Sequence, residues 1–254
     1  MRLAAVGDLH CSKTSQGALQ PLFSAMAAAA DVIVLCGDLT DYGLADEARV
    51  LARELGAARS VPLVAVLGNH DFHSGEVDQV KEVLAGAGVH LLDGESWEHE
   101  GVGFAGVKGL GGGFGERALQ PWGESIMKQL VHETVEEALK LESALARLRT
   151  ATRVAVLHYA PVADTVEGEP PEIFPFLGSS RLEEPLLRYP VSAVFHGHAH
   201  RGRTEGRTRD QVPVYNVCLP LLERVYPDRP PFRLVELDLR KREGCPVPRS
   251  VISA

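Results

Sequence analysis

The chain has 254 residues, a formal net charge of −8 and 45% hydrophobic residues, enough to bury one large core or two small ones. The acidic balance argues against a sequence-independent grip on nucleic acid, which needs a basic face. Four cysteines without a C-x-x-C pair fit a reducing compartment, and neither a secretion signal nor an apolar run of membrane-spanning length is seen, so a cytoplasmic protein is expected.

Residues 3–6 read as a buried strand that opens into Gly7-Asp8-Leu9-His10. A helix is expected from about Pro21 to Ala30, with proline as its first residue. Residues 31–35 form a second apolar strand that ends at Gly37-Asp38-Leu39-Thr40-Asp41. A helix over about 45–57 carries Ala48, Leu51, Ala52 and Leu55 on one side. Residues 63–67 are a third strand, stopping at Gly68-Asn69-His70-Asp71, and 76–87 return as a helix. This β-α-β-α alternation predicts a largely parallel sheet, in which ligands bind beyond the carboxyl ends of the strands.

Beyond residue 88 the pattern changes. Residues 89–92 and 102–107 read as short strands around a polar turn, and 108–123 as a Gly-rich loop too polar for core. Just before that loop, Gly101-Val102-Gly103-Phe104-Ala105-Gly106 satisfies G-x-G-x-x-G, but it follows polar residues and opens no helix, so a dinucleotide site is rejected. A long helix over 125–149 has a stripe of Met127, Leu130, Ala138, Leu141, Leu145 and Leu148, read as core packing. A strand at 153–157 ends at His158-Tyr159, a loop over 162–180 leads to a short helix near 182–188, and strand 191–195 runs into His196-Gly197-His198-Ala199-His200. Segments 212–217 and 232–239 are expected as antiparallel closing strands, with a tail from 241.

Asp8, His10, Asp38, Asn69, His158, His198 and His200 therefore gather at one crevice. Asp8 and His10, two apart in an extended segment, point to one side and suit a single ion. His198 and His200 share that spacing or reach two neighbouring ions. Mixed oxygen and imidazole donors suit Mn²⁺, Fe²⁺/Fe³⁺ or Zn²⁺. Seven donors exceed one tetrahedral site and suit two ions sharing a ligand, an arrangement that clamps both the attacking and leaving oxygens of a phosphoryl displacement.

These blocks, in this order, resemble the five blocks of the calcineurin-like metallophosphoesterase superfamily, with Gly37-Asp38-Leu39-Thr40-Asp41 and Gly68-Asn69-His70-Asp71 similar to its cyclic-nucleotide phosphodiesterase branch. The resemblance implies an α/β fold, a four-layer αββα sandwich of two mixed β-sheets flanked by helices, in a single domain over 1–254 with its core in 1–240. It implies that Asp8, His10 and His200 hold a first metal, that Asp38 bridges, and that Asn69, His158 and His198 hold the second. The implied activity is in-line attack of a metal-bound hydroxide on a small phosphodiester, with phosphomonoester hydrolysis or a non-catalytic protein-binding scaffold as alternatives. His70 would stabilise the phosphoryl oxygens or protonate the leaving group, oriented by the carboxylate of Asp41. His73, Arg117, Trp122, Tyr159 and Arg201 are candidate substrate contacts, with Phe114 beside them. Arg201 and Arg203 could reach a phosphate group but read first as solvated loop charges. Cys11 reads as either a tuning group or a small buried hydrophobe, and His196 as a structural or supporting residue. The implied partner is a small phosphorylated molecule, with no membrane and no nucleic acid.

Overall fold

A computed structural model describes residues 1–239; the expected tail over 241–254 lies outside them. The first sheet is built from β1 (Arg2–Val6), β2 (Val32–Cys36), β3 (Leu63–Val66), β4 (Val89–Leu91) and β11 (Arg233–Glu236), in the order β11-β1-β2-β3-β4. Its four N-terminal strands are parallel, and β11 closes the edge antiparallel to β1. The second sheet has the order β5-β6-β7-β8-β10-β9, from β5 (Ser96–His99), β6 (Val102–Gly106), β7 (Thr152–Val156), β8 (Ala193–His196), β9 (Glu205–Arg207) and β10 (Pro213–Asn216). Its centre, β6 to β8 and β10, is parallel, and its two edge strands are antiparallel.

The alternation of side chains along each strand assigns the layers. Leu3, Ala5, Val32, Val34, Val64 and Val66 face Val102, Phe104, Val154, Val156 and Phe195 across the space between the sheets. The intervening Ala4, Val6, Ile33, Leu35 and Ala65 face the other way. There they pack on α1 (Gln20–Ala29), α2 (Ala45–Glu54) and α3 (Val77–Gly86), through Phe23, Met26, Leu51 and Leu84 among others. On the far side, Ala105, Ala155, Val194 and Val214 meet Leu141, Leu145 and Leu186 of α4 (Ser125–Arg147) and α5 (Glu183–Arg188). The result is helices, sheet, sheet, helices, the layering the resemblance implied. Each large apolar side chain wholly removed from water here contributes roughly 1.5–3 kcal/mol.

Buried carboxylates position the loops at the site's edge. Glu54 of α2 accepts the backbone N–H groups of Gly17, Leu19 and Gln20, which satisfies donors at the start of α1. Glu47 accepts those of Tyr42 and Leu44 and so fixes the turn after β2.

Four expectations change. Segments 89–92 and 102–107 are not partners around a turn: β4 ends the first sheet, and the polar stretch between them holds β5, which pairs with β6. The Gly-rich loop is not excluded from the interior; Gly109 and 111–113 are buried, because glycines alone let the chain pass against Pro175 and Ser179. The α4 stripe is core only from Val131 onward, Met127 and Leu130 being half-buried. Finally, β10 runs parallel to β8, because a turn and β9 lie between them. Residues 102–106 lie in the strand of a hairpin, in line with the rejected dinucleotide site. No helix among the described residues is long and apolar enough to cross a membrane.

Candidate metal centre

Both sheets direct the carboxyl ends of their parallel strands to one edge, and there they are stitched together. Gly7 N–H donates to Val217 O (2.8 Å) and Leu219 N–H to Gly7 O (2.9 Å) between the sheets, and Gly197 N–H donates to His158 O (3.1 Å) within the second. The segment holding Asp8 and His10 is not extended, as its spacing suggested. Asp8 (φ 55°), His10 (φ 44°), Asp38 (φ 47°) and His198 (φ 68°) all adopt the left-handed conformation. Asp and His are among the residues that tolerate it best. Hydrogen bonds hold it: Asp8 N–H to Gly37 O (2.9 Å), His10 N–H to Asp38 O (3.0 Å) and His198 N–H to the Asp8 carboxylate (3.0 Å). Two glycines make the approach possible. A Cβ on Gly37 (φ 79°) would lie 2.4 Å from His158 Nδ1, and one on Gly197 would lie 2.2 Å from Asp8 Oδ2.

All seven residues expected as ligands come together. His200 Nε2 lies 3.1 Å from Asp8 Oδ1, and His10 Nε2 lies 3.9 Å from Asp38 Oδ2. His158 Nε2 is 3.3 Å from Asp38 Oδ1 and 3.0 Å from Asn69 Oδ1. Three sets offer donor atoms within 4.8 Å of one another: Asp8, His200 and Cys218; His10, Asp38 and His70; and Asp38, His158 and His198. Asp38 belongs to two of them.

The chemistry of these atoms fits cations. His10 Nε2 is buried with no hydrogen-bond partner. His158 donates from Nδ1 to Cys36 O (2.9 Å), so its Nε2 lone pair faces two oxygens that are themselves acceptors. Only a proton or a cation reconciles them. Without a cation the proton is held tightly. Burial works against the His158 imidazolium, yet Asp38 overcomes it and raises the pKa to about 9. Burial likewise opposes the Asp38 charge, but His158 keeps that carboxyl well below the usual range. His198 Nε2 donates to Phe176 O (3.1 Å), leaving Nδ1 as its lone-pair nitrogen. Burial and the neighbouring His158 pull His198 down to about 4, so it stands neutral, the form that binds metal. His10 is also lowered by burial, against Asp38 and Asp8, whereas the hydrogen bond to Asp8 raises His200.

The remaining candidates divide. His70 lies against His10, ring centroids 4.5 Å apart. Asp41 does hold it, but through the backbone: the Asp41 carbonyl oxygen is 2.7 Å from His70 Nδ1, while the carboxylate stands 3.5 Å from His10 Nδ1. The tight turn after β2 aims the carbonyl inward, which corrects the expected carboxylate contact. Tyr159 is at the site, its ring 4.4 Å from that of His198, and burial pushes its phenol up to about 12. His73 ends the turn beginning at His70 and pairs edge-on with Tyr42. Arg117 and Trp122 lie on the exposed 115–123 segment, without a hydrogen bond, ion pair or ring contact to the cluster among the described residues. Phe114 packs on Phe174. Arg201 is exposed and bonded by its backbone N–H to Glu169; Arg203 pairs with Glu167. Cys11 sits in the apolar core, its thiol raised to about 12 by burial. His196 is fully buried, bonded to Gly197 O and Thr165 Oγ1 at 2.8 Å each, and burial keeps it neutral, with a pKa of about 4. It supports the turn from outside the ligand sets.

Two residues were missed. Asp71, read only as part of a turn, is wholly buried and accepts from Leu39 N, Thr40 N, Thr40 Oγ1 and Gly68 N, tying the Asp38 loop to the Asn69 loop. Cys218, a lone cysteine after β10, gave no spacing to read. A cavity of about 350 Å³ lined by Leu55, Arg59, Ser60 and His90 lies at the other end of the strands and holds none of this chemistry.

No curated protein matches the chain by sequence. The fold is shared with solved structures. Phosphopantetheinyl hydrolase from Mycobacterium tuberculosis superposes with a TM-score of 0.66 at 17% identity, covering 96% of this chain and 98% of that one. The protein TT1561 of Thermus thermophilus gives 0.54 at 16% identity, covering 92% and 97%. GAP50, the anchor in the inner membrane complex of Plasmodium, gives 0.51 at 12%, covering 87% and 72%. The pattern of the calcineurin-like phosphoesterases matches residues 1–202, from the first strand through the last histidine of the cluster. That match places the chain in the calcineurin-like phosphoesterase family.

Proposed function

We propose that this protein hydrolyses small phosphodiesters, cyclic nucleotides among them, with two cations held side by side. One observation carries the reading: Asp38 offers its carboxylate to two separate ligand sets at once. Asp8, His10, His200 and Asp38 would hold the first cation, and Asp38, Asn69, His158 and His198 the second. Mn²⁺, Fe²⁺/Fe³⁺ or Zn²⁺ suits these donors. When bound, the pair supplies Lewis acidity and a water nucleophile ionised near neutral pH.

The chain's own groups do the rest. Asp38, kept anionic, partly neutralises two adjacent cations. His70, with Nδ1 bonded to the Asp41 carbonyl, presents Nε2 to the phosphoryl oxygens or the leaving oxygen. Three partly exposed aromatic side chains belong to the segments that carry this machinery: Tyr42 after Asp41, Phe72 after His70, and Phe176, whose carbonyl receives His198. Apolar side chains on these segments would receive the organic groups of a diester. The hydrolase named for the Mycobacterium structure is in keeping with such chemistry on this fold.

A hydrolysis screen with Mn²⁺ tests it, comparing bis(4-nitrophenyl) phosphate, 4-nitrophenyl phosphate, and 2′,3′- and 3′,5′-cyclic nucleotides. Diesters are expected to turn over, and His70→Ala to slow them by roughly 10²–10⁴-fold while metal content stays unchanged. Turnover of the monoester alone would make the protein a phosphatase. Protein prepared without chelator that holds under one equivalent of metal, with no rescue by Mn²⁺, would make it a scaffold.

A further inference from the structure

Lys108 lies outside the ligand sets and has no part in the chemistry above. It follows β6 at the site's edge, and its carbonyl accepts the N–H groups of both His158 and Tyr159 at 3.1 Å. Its ammonium stands between two rings, 5.7 Å from the centroid of Phe72 and 5.3 Å from that of Tyr159. Phe72 closes the turn that starts at His70, and Tyr159 lies against His198. The charge is thereby held at the seam between the arm carrying His70 and the arm carrying the second-cation histidines.

The carboxylates nearby are already committed. Asp93 takes Lys81 (3.1 Å) and Lys140 (3.5 Å); Glu137 takes Lys140 (2.7 Å) and the backbone N–H of Gly109 (2.7 Å). Lys108 has no carboxylate within ion-pair distance among the described residues, and its hydrogen-bond partner is Gly109 O at 2.7 Å. The side chain is half-buried, so its ammonium gives up part of its hydration with no carboxylate to compensate. Methionine or leucine would pack on the same two rings without that desolvation cost. What lysine adds is a positive charge with N–H donors to spare.

We propose that Lys108 binds a second anionic group, carboxylate or phosphoryl, on the organic part of the substrate, and so selects phosphoesters that carry an extra charge. This rests on the phosphoesterase reading and narrows it. The test is calorimetric titration of the full-length Mn²⁺-loaded protein with three probes: propylphosphonate, 3-phosphonopropionate and propane-1,3-bisphosphonate. The wild type is expected to favour at least one doubly anionic probe by about tenfold over propylphosphonate. Lys108→Met, which keeps the packed stem, and Lys108→Gln should both erase the advantage, and Lys108→Arg should retain most of it. The probe with the larger gain identifies the anion. Equal binding of all three probes by the wild type, or an advantage that survives in Lys108→Met, overturns the proposal. Hydrolysis of bis(4-nitrophenyl) phosphate, measured in parallel, separates the two readings. If it fails while the Lys108-dependent advantage persists, the phosphodiesterase reading falls and the anion site stands.

Discussion

At the scale of single residues, chemical type was legible and contact atom was not. Asp8, His10, Asp38, Asn69, His158, His198 and His200 stood out because polar, metal-binding side chains recurred directly after apolar strands, and the structure brings them within reach of one another. Asp41 shows the limit: sequence names the residue, but only the path of the turn decides that its carbonyl meets His70 and its carboxylate meets His10. That distinction is measurable. Asp41→Asn keeps the carbonyl, so His70 stays in place and kcat at saturating Mn²⁺ should not change. The lost charge beside His10 should instead weaken the first cation by roughly 10–100-fold, read by competition with a chelator. A fall in kcat with unaltered metal affinity would restore the expected carboxylate–His70 contact. Lys108 escaped notice because a lone residue with no periodic partner carries no spacing to interpret, and Asp71, though quoted in the block after β3, carries no sign in sequence of the second loop that it binds.

At the scale of elements, β1 to β3 and their helices followed from apolar runs punctuated by glycine, and the structure keeps them within a residue or two, except that α2 stops at Glu54 and the chain tightens into a 3₁₀ turn over Leu55–Ala58. The second sheet was less readable. Its strands are separated by a 23-residue helix and long loops, and which strand pairs with which depends on packing against the first sheet. Loop-to-loop ties are hidden for the same reason. Asp71 bonds four donors from two loops, and both of its oxygens accept. In Asp71→Asn one oxygen becomes an NH₂ group facing N–H or O–H donors. The metal-free protein should lose about 1–3 kcal/mol, read as a lower urea midpoint, with weakened binding of both cations. An unchanged midpoint would show that the two loops hold together without it.

At the scale of the whole molecule, the centre couples stability to protons. His158 has a folded pKa of about 9 against an ordinary 6.5, so its contribution is complete below pH 6.5 and disappears as pH rises to 9. His196 runs the other way: it is lowered to about 4, so the unfolded chain binds more protons between pH 4 and 6.5, and stability falls with acid there. Asp38, depressed, adds a loss below its ordinary 3.8. Metal-free protein should therefore be most stable near pH 6.5. On the proposed ligand set a cation would take the place of the His158 proton, so saturating Mn²⁺ should reverse the alkaline limb, Tm rising from pH 6.5 to 9 where the chelated protein's Tm falls. Parallel limbs with and without Mn²⁺ would mean that His158 is no ligand.

The backbone at Asp8, His10, Asp38 and His198 bears on how a mutational survey should be designed. Alanine placed there would carry a conformational penalty of roughly 1–2 kcal/mol on top of the missing donor, and a survey built on alanine would credit chemistry with damage that belongs to the main chain. Asparagine accommodates that geometry, so at all four positions it leaves the main chain in place and reports the loss of the carboxylate charge or of the imidazole nitrogen alone.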